Sequence, residues 1–302
     1  MRTFILATTA AATLFASVAF TQESRQGTAS IPDFSGIWAH ASDAHGFEPP
    51  LSGPRPVTNR SRLAKGTSNP DQLVGDYNNP ILQPWAAEVV KKYGEIELSG
   101  GLLRSPRNQC WPEPPPFIFS SHGMQMFQQP NSITILYEWN DVRHVRMNEP
   151  HRVQMTPSWY GDSIGRYEGD VLMIDTVGIK ADRPFAMVDQ FGTPYTTALH
   201  VVERYRLIDY EAAKEALERD AKENFQLQNP AVRPDRNYRG KHLQLQFTVE
   251  DEGVFTTPWS ATITYRPGFN WRGATEWPEL VCAENHNPHQ YDAVPRANKP
   301  DF

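Results

Sequence analysis

The chain has 302 residues, with 35 acidic against 29 basic side chains and a net charge of −6. Its arginines and lysines are scattered among acids rather than gathered on one face, so nucleic acid is not an expected partner. Beyond its first residues no stretch approaches the roughly 20 uncharged apolar residues of a membrane-spanning helix.

The N-terminus carries Arg2, an apolar small-residue run from Phe4 to Val18, and then Ser17-Val18-Ala19, a small-x-small cleavage pattern. This predicts a secretory signal peptide over 1–19 and export to the periplasm or the medium. The mature chain is then expected to be free of membrane spans.

Residues 20–116 are rich in Pro, Gly and Ser and predict a wrapping region of long loops. Two ordered pieces are expected within it, a first strand at Phe34–Trp38 and a short helix at Pro84–Tyr93 with Pro in its first turn. Loops of this length in a compact domain tend to cover a site or form a lid.

From 117 to 302 the pattern becomes alternating strands at short spacing. They are expected at Met124–Gln128, Ile133–Trp139, Val142–Met147, Ile164–Tyr167, Val171–Val177, Leu199–Ile208, His242–Glu250, Ala261–Arg266 and Glu279–Ala283. Asn140-Asp141 and Glu168-Gly169-Asp170 are hairpin turn chemistry. The fold class is mainly β, an antiparallel meander closed into a lipocalin-like barrel or clam. One helix is inserted at 210–225, and 20–302 is read as one domain.

Two cysteines in an oxidising compartment are read most simply as one disulfide, Cys110–Cys282, joining the front of the barrel to its last strand. A pair of buried thiols is the alternative. The CWPEPPP context of Cys110 offers no base to make a catalytic thiolate.

Candidate catalytic residues are those whose strand phase sets a charge in an apolar row. Glu203 shares a face with Leu199, Val201, Tyr205 and Leu207, so it is expected on the buried side. A buried carboxylate must be paired or shift its pKa upward. Glu203 is therefore either a general acid or base, or a core carboxylate satisfied by an arginine from a neighbouring strand. Asp175 stands in the row Val171, Met173, Val177, and Arg143 in the row with Val145 and Met147. An arginine and carboxylates converging inside a barrel make a structural network or a site for a polar substrate group. His151, on a loop at the barrel rim, is a titrating candidate. His200 lies on the opposite face of the Glu203 strand with Arg204. Arg204, Trp159, Tyr137 and Tyr205 are candidates for contacting a substrate. His40/His45 and His286/His289 have loose metal-ligand spacing that no Asp, Glu or Cys completes, so no metal is expected.

The series DFSGIW, LQPWA, a Cys-x-Pro segment, ILYE, RHVRMNEPH, PSWYGDSIGRYEGDVLMIDTVG, ALHVVERYR, FTTPWS and ELVCAEN resembles a large family of exported bacterial proteins, over most of the mature chain. This chain departs from the family's W-E-G-D-T-L-V-V-x-T with Tyr167, Val171, Met173 and Ile174. It has Asn148-Glu149-Pro150-His151-Arg152 where the family usually reads D-G-R before His-Pro, and the 210–225 helix is extra. The resemblance implies an exported lipocalin-like antiparallel barrel without a cofactor motif and supplies no reaction. Its matching polar positions are Arg143, His151, Asp175, His200, Glu203 and Arg204.

The expected function is cofactor-independent acid–base chemistry of lyase or isomerase type. The substrate is a small, partly apolar molecule, aromatic compounds included, held in the barrel cavity. Glu203 or His151 would move the proton, Arg143 would hold a carboxylate or oxyanion, and Asp175 would orient its neighbours. The alternative is a lipocalin-type carrier of a small hydrophobic ligand.

Overall fold

Alternation of apolar and polar residues over short segments is what a half-buried strand needs, and it dominates the chain beyond residue 122. The computed structural model describes residues 31–40, 46–120, 122–138, 141–224, 238–268 and 277. In chain order its elements are β1 (Gly36–His40), α1 (Pro84–Leu98), β2 (Met124–Gln128), β3 (Ser132–Tyr137), β4 (Val142–Met147), β5 (Asp162–Glu168), β6 (Val171–Val177), β7 (His200–Ile208), α2 (Tyr210–Glu223), β8 (His242–Glu250) and β9 (Trp259–Pro267).

The nine strands close into a barrel in sequence order. β1 completes it by pairing with β2 at Trp38↔Met124 and with β9 at Trp38↔Pro267. Successive strands pair antiparallel with one exception: β4 and β5 run parallel, with Val145 opposite Ser163 and Met147 opposite Gly165. Parallel neighbours need a crossover of a dozen or more residues, and the connection 148–161 is that long. The expected final strand Glu279–Ala283, and Cys282 with it, lie outside the described residues.

Inward positions follow the period of two. Ile133, Ile135, Val145, Leu172, Ile174, Val201, Leu245, Phe247, Ala261 and Ile263 are buried in one hydrophobic cluster that fills the barrel. Helix α1 begins at Pro84 as expected but runs past Tyr93, because Gly94 does not break it. Gly94 is buried against Val74, where an added Cβ would sit 3.0 Å from a Val74 methyl. The helix ends instead at Ser99-Gly100, with Gly100 in the left-handed region (φ 76°) and the Gly100 and Gly101 N–H groups bonded back to Glu97 and Ile96. Helix α2 turns one stripe, Ala213, Ala216 and Asp220, onto the outside of β8 and β9. No described helix is long and apolar enough to cross a membrane.

Candidate active site in the barrel wall

Strands β4, β5, β6 and β7 each send alternate side chains to the two sides of the barrel wall, and both sides carry polar networks. Inside, Arg143 and Glu203 meet as a two-pronged ion pair, Nη1 to Oε2 at 2.9 Å and Nη2 to Oε1 at 2.6 Å. The pair is fully enclosed, Arg143 1% and Glu203 0% exposed. Arg143 also donates from Nε to Ser163 Oγ (3.0 Å) and from Nη2 to Thr176 Oγ1. Tyr205 donates its hydroxyl to Glu203 Oε2 at 2.8 Å. Burial opposes the charge on Arg143, but Glu203 outweighs it and holds the guanidinium above its ordinary range. Tyr137 is buried beside this network, and burial pushes its phenol up to about 12.

Outside, a row of alternating charges crosses the same strands. Arg146 Nη2 donates to both Asp162 oxygens at 2.9 Å, and His151 Nδ1 lies 3.0 Å from Asp162 Oδ2. His151 Nε2 is 3.2 Å and His200 Nε2 2.9 Å from the same Asp175 oxygen. The remaining ring nitrogen of His200 faces Glu250 at 3.5 Å. The bond from His200 holds Asp175 below the usual carboxylate range, and Asp175 in turn raises His200.

The sequence reading thus needs one correction of face. Asp175 stands on the outer side with His151 and His200, while its neighbours Ile174 and Thr176 point inward; both rows of β6 are largely apolar, so composition did not mark the inner one. Arg143 and Glu203 do converge inside, in the paired arrangement. Arg204 lies on the outer face and reaches Glu168 at 3.3 Å. Trp159 packs near Trp111, ring centres 5.4 Å apart, with the Arg183 guanidinium over its ring at 4.5 Å.

The two networks approach each other at one place. β4 and β5 pair only from Val145 and Ser163 onward, and beside their opening ends lies a cavity of about 280 Å³. Arg143, His144, Arg146, Arg152, Ser158, Tyr160, Asp162 and Ser163 line it, so the enclosed Arg143 and Ser163 form part of its lining. Gly161 borders it at φ 73°, where an added Cβ would meet the Val177 carbonyl at 2.5 Å, so a side chain there cannot be accommodated without shifting β6.

Tyr160 joins this cavity to a set of residues that sequence reasoning missed. Its hydroxyl donates to Asp141, and burial pushes the Asp141 carboxyl up to about 6 against the opposing effect of that bond. Burial and the Asp141 charge raise the Tyr160 phenol. Close by, Glu113 accepts two bonds from Arg107 (3.1 and 2.8 Å) and lies 3.0 Å from His122 Nε2. Burial alone would raise Glu113, but Arg107 and His122 outweigh it and hold the carboxyl down at about 2. His122 is raised in return, since Glu113 outweighs the effect of burial. In the sequence Asp141 carries only a turn signal, with Asn140. Tyr160 stands in a loop, where no strand phase applies, and Asp162 opens β5 two residues before the strand expected from Ile164.

Among the described residues no group of three or more His, Cys, Asp or Glu is placed to hold a metal ion. His45, His286 and His289 lie outside the described residues. Comparison with known proteins adds no precedent: no family model, curated protein or solved structure matches the chain.

Proposed function

We propose that this chain is an exported, cofactor-independent acid–base enzyme of lyase or isomerase type, working at the cavity between β4 and β5. The observation that carries the reading is the Asp141–Tyr160 pair: a carboxyl held at about 6 and bonded to a tyrosine that lines a cavity with arginines around it. General acid–base groups work best when their pKa lies near the working pH, and burial is the usual means of bringing a carboxyl there.

Above pH 6 Asp141 is ionised and accepts a hydrogen bond from the Tyr160 hydroxyl. The pair can then relay a proton: as the phenol oxygen takes one from a substrate carbon or hydroxyl, its own passes to Asp141. The reverse transfer returns the proton to another atom of the substrate, giving isomerisation, or to a leaving group, giving elimination. Arg143 supplies fixed positive charge for a developing oxyanion, in a site where little rearrangement is needed. Glu203 is engaged on both oxygens, so its role is to orient Arg143 rather than to move the proton. His151, Asp175 and His200 brace Asp162 and through it Arg146. Residues 1–19, whose apolar run and small-x-small pattern fit an export signal, support a reaction outside the cytoplasm.

The test is untargeted mass spectrometry of a small-molecule library, rich in aromatic acids and alcohols, incubated with wild-type chain, Asp141→Asn and Tyr160→Phe. The expected result is one compound consumed and another formed by wild type, with a rate that rises through pH about 6 and falls about 100-fold or more in both variants. Equal turnover by folded variants would remove the pair from the chemistry. Recovery of an unchanged bound compound would support the carrier instead.

A further inference from the structure

Resting on that reading of the cavity, we propose that its substrate is a small organic carboxylate and that Arg152 is the residue that captures it. Three arginines line the space against one carboxylate, Asp162. Two of the three are committed. Arg143 is bound to Glu203, Ser163 and Thr176, and Arg146 to Asp162 and Glu149. Asp162 is committed as well. It meets Arg146 and His151 and accepts the Arg152 backbone N–H at 3.2 Å, contacts that overcome the effect of burial and hold it below the usual carboxylate range.

Arg152 differs from the other two. Its guanidinium comes no closer than 3.9 Å to Asp162, and its side chain is 65% exposed, so its donor fork is open at the cavity edge. A planar guanidinium recognises a carboxylate through two parallel N–H···O bonds, which a neutral amide cannot reproduce. The cavity, at about 280 Å³, lies just below the roughly 300–1,000 Å³ found for small-molecule sites, which sets the ligand at a few carbons up to one ring. Asp141 would repel an anion, but it reaches the cavity through Tyr160. A substrate can therefore place its carboxylate on Arg152 and its reacting carbon toward the phenol.

The experiment is calorimetric titration of the full chain, at low ionic strength, with a panel of carboxylates from acetate to mandelate, their amides, and inorganic phosphate. Wild type is expected to bind at least one carboxylate at least tenfold more tightly than its amide and than phosphate. Arg152→Gln, at an exposed position whose backbone bond is kept, is expected to abolish that preference. Tyr160→Phe is expected to keep it, so a failed acid–base reading leaves binding intact and a failed capture site leaves the pH behaviour of Asp141 intact. Amides bound as well as acids, phosphate bound as well as carboxylates, or an Arg152→Gln chain that still prefers carboxylates would each overturn the proposal.

Discussion

At the scale of single residues, the Arg143–Glu203 pair is the most exacting feature of the barrel. Two charges taken fully out of water repay their desolvation only when their remaining donors and acceptors find partners, and here Ser163, Thr176 and Tyr205 each add one bond to the pair. Removing one partner strands the other. Arg143→Met or Glu203→Leu alone is therefore expected to cost about 3–5 kcal/mol in chemical denaturation, while the double variant costs markedly less than the sum. Additive losses would mean that the two charges are not coupled. Glu203 shows what strand phase can tell: its row is the buried one, as Val201 and Tyr205 beside it indicate, while His200, Arg204 and Arg206 fill the other face. The same rule failed at Asp175, where Leu172 and Met173 are both buried and the two faces of β6 look alike.

At the scale of elements, four strands, β2, β4, β6 and β8, have the bounds that alternation and turn residues indicate, and α2 starts at Tyr210 as expected. The parallel junction of β4 and β5 was not legible, since a single strand's pattern carries no direction and the 148–161 crossover has no helix to announce it. Helix α2 meets the barrel over a further buried carboxyl. Glu48, whose backbone pairs with Thr262, accepts the Thr264 hydroxyl at 3.0 Å and faces Arg219 at 3.7 Å. Burial, and then the nearby Asp220 charge, push Glu48 up to about 7. A carboxyl raised from 4.5 to about 7 by folding favours the folded state while protonated. That contribution is full below pH 4.5 and is lost as pH rises through 7. Glu48→Gln is accordingly expected to stabilise the chain by roughly 2 kcal/mol at pH 8 and by little at pH 5, measured by thermal unfolding at both pH values. A variant less stable at pH 8 would show that the ionised carboxylate is needed there.

At the scale of the whole molecule, the barrel follows from a repeated local rule and so can be read along the chain, whereas the site depends on where the closed barrel brings distant loops together. Asp141 from the β3–β4 turn, Tyr160 from the crossover and Arg143 from inside the wall share no sequence period. They meet because parallel pairing parts β4 from β5 at their opening ends. The proposed site depends on the charge state of Asp141, and the direct measurement is ¹³C NMR titration of the aspartate carboxyls, with the Asp141 signal assigned by its loss in Asp141→Asn. The expected midpoint is about 6, moving higher in Tyr160→Phe as the bond that favours the carboxylate is lost. A midpoint near 3.8, unmoved by that substitution, would mean that Asp141 is an ordinary turn carboxylate and would contradict the proposed site.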